Sequence, residues 1–284
     1  MLGLNLAWAD VSGTSLSAKD WLRSGVSAFQ AGDYRSALSD FDQALVANPT
    51  YGAAFSNRCL TQIYLEHYSA AIEDCGQALQ LNPTDTESYL NRGLAAYRLG
   101  QLEAAITDYN QLLQLKPHDF RAYYNRALAE AEQQAYREAI VDYGEAIRQV
   151  SPLSHGMLAE IHNDRGIAHL GLENWPQAIA DFTQSIQFSG NDLKAYYNRG
   201  CAYHHQGNLT AALQDFDQVT QFAPDHAQAY LSRGLVEQQL GDRAAALADF
   251  EQAARFFRSQ GATIAHRQTL NLIRQLMTVP SAIG

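Results

Sequence analysis

Small and large apolar positions recur along the chain with a period of 34 residues. Sliding the sequence by that distance superimposes Asn57-Arg58, Asn91-Arg92 and Asn125-Arg126, and carries Pro49 onto Pro83 and Pro117. Counted from Ala18, the units begin at Ala18, Gly52, Thr86, Phe120, Ala159, Leu193 and Ala227, the fourth being five residues longer than the rest. Position 20 of every unit is alanine, from Ala37 and Ala71 through Ala246, and position 8 is always small: Gly25, Cys59, Gly93, Ala127, Gly166, Gly200 and Gly234. Helices approach closely only where side chains are short, so these positions mark the crossing of a helix pair. Large rings surround it, at position 4 (Trp21, Phe55, Tyr89, Tyr123, Tyr196, Tyr230) and position 24 (Phe41, Tyr109, Tyr143, Phe182, Phe216, Phe250). Gly32, Gly100, Gly207 and Gly241 stand where a left-handed residue ends the first helix, and Pro49, Pro83, Pro117 and Pro224 follow the second. Each unit therefore predicts two helices joined by a tight turn.

This small-and-large pattern with its terminal proline resembles the tetratricopeptide-repeat family over residues 18 to 260. Departures are His162 for the position 4 aromatic, Leu112 and Val219 for the small residue at position 27, and Gly190 where proline is expected. The resemblance implies an all-α fold, a right-handed α-solenoid in which each unit buries its apolar face against its neighbour, with a concave inner surface. Residues 261–284 supply a capping helix and tail: Ala262, Ala265, Leu272, Ile273, Leu276 and Met277 share one face at helical spacing. The extension Ser151 to Leu158, containing Pro152 and Gly156, reads as a loop. Residues 1–17 read as a lead-in. Ala7-Trp-Ala9 alternatively resembles the end of a secretory signal whose start lies upstream. A cytoplasmic location goes with the first reading and export with the second.

Composition narrows the partners. A formal charge of −10 with three lysines, Lys19, Lys116 and Lys194, argues against nucleic acid, whose binding rests on clustered Lys and Arg. No apolar run approaches the length that spans a bilayer. Hydrophobic residues at 46% and charged residues at 18% predict an ordered chain. Cys59, Cys75 and Cys201 show no ligand spacing and read as structural thiols, with a Cys59–Cys75 disulfide as the alternative in an exported protein. No nucleophile motif, phosphate loop, metal set or cofactor motif stands out. Histidines 169, 204 and 205 lack a companion cysteine or carboxylate set. A non-enzymatic scaffold is the leading expectation; an assembly factor for a membrane complex, photosynthetic in style, and an enzyme with an unrecognised site are the alternatives.

Two charged and polar columns remain. Arginine fills position 7 of six units (Arg58, Arg92, Arg126, Arg165, Arg199, Arg233) and aspartate position 23 of all seven (Asp40, Asp74, Asp108, Asp142, Asp181, Asp215, Asp249). One Asp per Arg at constant offset predicts fixed, bidentate ion pairs. Because the first unit has Ser24 instead of arginine, each arginine is expected to pair with the aspartate of the preceding unit, Arg92 with Asp74 for example.

In the family the first helix of each repeat lines the groove, and position 6 there carries Asn57, Asn91, Asn125 and Asn198, with Asp164 in the fifth unit. A column of amides suits the backbone of an extended peptide or partner protein. It resembles the asparagine column of superhelical glycosyltransferases. The carboxylate clamp of Hsp90 and Hsp70 co-chaperones is matched only at Asn57, since Leu22, Val26, Glu87 and Asn91 stand at its other positions. Tyr64, Leu90, Tyr97, Tyr124, Tyr197 and Leu231 surround the column, with Lys19, Arg121 and Lys194 against Glu87, Glu132 and Glu160 at the rim. Bonding between helices is the alternative role for the asparagines.

Overall fold

In the computed structural model, residues 16–278 are described, so the readings for the extreme N-terminus, residues 1–9 included, and for the last residues of the tail lie outside them. Fifteen α-helices and no strand occur among the described residues. They fall into two compact units that part between Gln133 and Gln134. The first holds α1 (Ala18–Gln30), α2 (Tyr34–Ala47), α3 (Gly52–Tyr64), α4 (Tyr68–Leu81), α5 (Thr86–Arg98), α6 (Leu102–Leu115) and α7 (Phe120–Glu132). The second holds α8 (Tyr136–Gln149), α9 (His155–Gly171), α10 (Trp175–Phe188), α11 (Leu193–Gln206), α12 (Leu209–Phe222), α13 (Ala227–Leu240), α14 (Arg243–Ser259) and α15 (Thr263–Thr278).

Local chemistry starts and stops these helices. Ser17 and Asp20 form a capping box on α1, and the carboxylates of Asp85, Asp119 and Asp192 accept from backbone amides in the first turns of α5, α7 and α11. Gly207 and Gly241 end α11 and α13 in the left-handed conformation, at φ 83° and 86°. Glu66, Gln134 and Glu173 adopt the same region at the equivalent turns, without glycine's freedom.

In repeats 1, 3, 5, 6 and 7 the two helices of the hairpin meet where the glycine at position 8 faces the ring at position 24. A Cβ added to Gly93 would lie 2.6 Å from the Tyr109 ring, one on Gly166 2.6 Å from Phe182, and one on Gly200 2.8 Å from Phe216. No side chain fits there. The alanines at position 20 are wholly buried in all seven repeats, and Leu112 and Val219, larger than the usual residue at their position, are wholly buried too. Successive hairpins stack so that the first helices of neighbouring repeats touch: α1 on α3, α3 on α5 and α5 on α7 in the first unit, α9 on α11 and α11 on α13 in the second. The second helices pack mainly on their own hairpin and on the next first helix.

Two expectations are corrected. Residues 155–158 are helical: the five-residue extension is little more than one helical turn, and α9 absorbs it by starting at His155 with Leu158 buried against the core. At the C-terminal cap, Ala262, just before α15, and Ala265, Leu272 and Ile273 on it pack on the last hairpin and Leu276 is buried, but Met277 is exposed and Thr269 takes an unforeseen place in the buried face.

Tyr109 stands where most repeats carry phenylalanine, wholly buried, with a hydroxyl that has no hydrogen-bond partner. An unpaired buried hydroxyl costs about 1–3 kcal/mol. Tyr109→Phe is therefore expected to raise stability by about 1 kcal/mol; an unchanged or lower urea midpoint would show that the hydroxyl is satisfied in solution.

Candidate functional site

The arginine at position 7 pairs within its own repeat. Nε and Nη2 of Arg92 donate to the two carboxylate oxygens of Asp108 at 2.8 and 2.7 Å, and Arg58 meets Asp74 at 2.6 and 2.6 Å. In the second unit Arg165 meets Asp181, Arg199 meets Asp215 and Arg233 meets Asp249 in the same bidentate way. Pairing with the preceding repeat's aspartate is thus corrected: Asp74 bonds Arg58, not Arg92. The hairpin dictates this, because laying position 8 beneath position 24 puts position 7 beside position 23 of the same repeat. In the first repeat Ser24 donates to Asp40 at 2.7 Å in the arginine's stead. Arg126 and Asp142 belong to different units, and Asp142 is buried in its own.

Contact with the preceding repeat exists, through the third guanidinium nitrogen. Nη1 of Arg58 donates to Asp42 at 2.7 Å, that of Arg233 to Asp217 at 2.7 Å, that of Arg199 to the Thr183 hydroxyl at 3.0 Å, and that of Arg126 to Asn110. In each case an acceptor stands at position 25 of the repeat before, and Nη1 of Arg233 also reaches the Thr220 hydroxyl at 3.0 Å. Where that position is glycine, at Gly76 before Arg92 and Gly144 before Arg165, the guanidinium passes a bare backbone at 3.9 and 3.8 Å from where a Cβ would lie. The guanidinium also lies over the position 4 ring, as Arg92 does over Tyr89 at 5.8 Å and Arg233 over Tyr230 at 5.3 Å. Bonds from the aspartates hold Arg58 and Arg92 more basic than usual against the opposing pull of burial. His162, the exception at position 4, bonds Asp181 directly through Nδ1 at 2.9 Å, and His169 approaches the same carboxylate. Burial pushes the Asp181 carboxyl up, but His162 and Arg165 hold it below the usual range.

The first helices are stitched to one another by polar side chains. The Ser56 hydroxyl lies 3.0 Å from that of Ser88, between α3 and α5, and Arg121 on α7 clasps both oxygens of Glu87 on α5. Arg121 also bonds its own Asp119, which with Glu87 holds the guanidinium strongly protonated. A residue expected at a binding rim is thereby neutralised by two carboxylates. In the second unit Asn198 donates to Asn163 at 3.2 Å, the Tyr197 hydroxyl lies 3.2 Å from that of Ser232, and His204 meets Gln239 at 3.0 Å. Burial pushes the Tyr197 phenol up to about 12. Lys194 is exposed. His205 stacks on Trp175 at 4.7 Å, and no group of three His, Cys, Asp or Glu side chains able to hold a metal occurs among the described residues.

The asparagine column thus splits by environment. In the second unit Asn198 gives an amide hydrogen to Asn163 on the neighbouring first helix. In the first, Asn57 gives one amide hydrogen to the Ala53 carbonyl at 2.7 Å, and Asn125 is half-buried on α7 beside Tyr124, with Tyr97 half-buried on α5. Asn91 is 7% exposed and makes no hydrogen bond among the described residues. It lines a cavity of about 430 Å³ between α3 and α5, together with Ala53, Ser56, Asn57, Leu60 and Glu87. Ser56 and Leu60 occupy positions 5 and 9 of the same helix face as Asn57 and share its spacing.

Helix hairpins stacked first helix on first helix, with a cavity between neighbouring repeats on that face, define an α-helical repeat protein. Family models described as tetratricopeptide repeat match residues 60–120, 90–154, 193–226 and 227–258, together more than half of the chain. The chain belongs to the tetratricopeptide-repeat family. Among solved structures it is similar to YrrB, titled a TPR protein with an unusual peptide-binding site, at 22% identity over 70% of this chain and 99% of that one, TM-score 0.59. It is similar also to a tetratricopeptide repeat protein of Parabacteroides merdae, at 21% identity over 89% and 98%, TM-score 0.63, and to Pseudomonas aeruginosa pilF, at 16% identity over 78% and 96%, TM-score 0.63. These likenesses are of fold. No curated protein matches the chain. The fold is that of a protein–protein interaction scaffold, and no helix among the described residues is long and apolar enough to cross a membrane.

Proposed function

We propose that the chain binds an extended peptide segment of a partner protein at the α3–α5 face of the first unit, without catalysing a reaction. The observation that supports this most is Asn91: a residue more than nine-tenths buried whose amide makes no hydrogen bond among the described residues and lines the cavity. Opening to the cavity, that amide offers two donors and an acceptor, the complement of a peptide backbone. Asn57, with one amide hydrogen spent on its own helix, adds its remaining hydrogen and oxygen on the same cavity. Leu60 and Ala53 supply apolar floor, and Ser56, within hydrogen-bond reach of Ser88, is the polar contact between the two helices there. Lys19, Tyr97, Tyr124, Asn125 and Arg121 extend the face as shape and rim rather than as the anchoring amides.

Peptides selected from a random display library on the full chain give the test. For the tightest of them, calorimetry is expected to show about tenfold weaker binding to Asn91→Ala than to wild type, with helicity unchanged, since one lost hydrogen bond to a buried group is worth about 1–1.5 kcal/mol. Equal affinity for both proteins would remove the α3–α5 face from the site. The same peptide should bind Asn198→Ala as it binds wild type, because Asn198 stands on α11 and does not line that cavity.

A further inference from the structure

Repeat 2 breaks the hairpin pattern twice, at two positions that touch. Every other repeat sets a glycine or alanine at position 8 and an aromatic ring at position 24, and within one unit the ring fills the space above the small residue. In repeat 2 position 8 is Cys59 and position 24 is Cys75. Both are wholly buried, their Cα atoms are 5.4 Å apart, and their sulfurs are bonded. One departure alone would be unremarkable. A larger residue at position 8 clashes with a ring, and a small residue at position 24 leaves a void, so the two departures make sense only together. Two separate thiols would occupy the site poorly, because the ring's volume is gone and nothing replaces it. The bond replaces packing with a covalent link across the same contact.

We infer that Cys59–Cys75 is a native covalent staple of repeat 2, and that the chain folds in an oxidising compartment, where a protein thiol–disulfide oxidoreductase is its partner. The chemistry balances as exchange. One cysteine thiolate attacks the donor's disulfide to form a mixed disulfide, and the second displaces it; the two thiols lose two protons and two electrons, and the donor leaves as its dithiol. Burial of both sulfurs places this exchange before the hairpin closes. Disulfides persist in such compartments and are rare where glutathione and thioredoxin keep thiols reduced. The third cysteine does not compete: burial pushes the Cys201 thiol above its usual pKa, so little thiolate is available to scramble the bond. The inference is independent of what the α3–α5 cavity binds.

The experiment traps thiols in the source cells with acid and an alkylating agent, then maps the peptides of the full chain. A linked Cys59–Cys75 peptide with only Cys201 alkylated is the expected result; alkylation of all three cysteines would overturn the inference. In parallel, thermal unfolding of oxidised chain is compared with chain refolded under reductant. The reduced form is expected to melt several degrees lower, and coincident curves would overturn the staple. Cys59→Gly/Cys75→Phe, which restores the pattern of the other repeats, is expected to melt near the oxidised wild type and to ignore reductant. A reductant-dependent melting temperature in that double variant would show that the effect comes from elsewhere in the chain.

Discussion

Asp215→Ala is expected to destabilise the second unit by about 3–5 kcal/mol, because it strands Arg199 in a partly buried site. The Arg199 side chain is 17% exposed and that of Asp215 6%, so solvent replaces little of the lost carboxylate. The guanidinium would keep the Thr183 hydroxyl and its contacts with the rings of Tyr196 and Tyr203, but none of these carries a compensating negative charge. Removing both partners behaves differently. Arg199→Met/Asp215→Leu deletes the desolvated charges together with their attraction, and a buried pair exchanged for apolar side chains of similar volume is often neutral. The double variant should therefore recover most of the loss. Urea unfolding of the four proteins closes the cycle, and a single-variant cost below about 1 kcal/mol would mean that the pair behaves like an exposed surface ion pair.

The second large effect is expected at the helix crossing itself. Phe216→Ala should cost about 3–5 kcal/mol, toward the upper end of ring-to-alanine changes in cores. The cost depends on how far the site can collapse, and here it collapses little. The ring sits on Gly200, which has no side chain to move inward, and the helices on either side are held at their spacing by the adjacent Arg199–Asp215 pair. Tyr197, with its ring centroid 5.8 Å away, is anchored near Ser232. Phe216→Leu, which keeps much of the volume, should cost roughly a third as much. If the two substitutions gave equal losses in denaturant midpoint, ring volume would not be what holds the crossing open.

The period of the sequence exposes the helices, their caps and the crossing residues because each rests on local chemistry repeated seven times. What it hides is partner choice. One arginine and one aspartate per unit satisfy pairing inside a repeat and between repeats equally well, and the missing first arginine favours the wrong alternative until Ser24 is seen bonding Asp40. A better signal was present: a small residue facing a ring at positions 8 and 24 already aligns position 7 with 23. The extension before α9 misleads for another reason. Pro152 and Gly156 signal a break, yet Ser154 precedes the first turn and the backbone amide of Leu158 donates to its carbonyl. For the asparagines, spacing places Asn57, Asn91, Asn125 and Asn198 on equivalent faces but says nothing of what each amide bonds. That depends on neighbours such as Ala53 and Asn163, which vary from repeat to repeat.

The glycines at position 25 divide the interfaces between repeats into two kinds. Where Asp42, Asn110, Thr183 or Asp217 stands, an arginine clamps one repeat to the next; at Gly76 and Gly144 it has nothing to hold. A stack of repeats behaves as a line of elements joined by nearest-neighbour springs, and its softest joints set where it bends first. Each unit contains one such joint. In the first it falls between repeats 2 and 3, the pair whose first helices enclose the cavity lined by Asn57 and Asn91. Compliance is thus concentrated where the walls of that cavity meet, while the repeats on either side stay clamped to their outer neighbours.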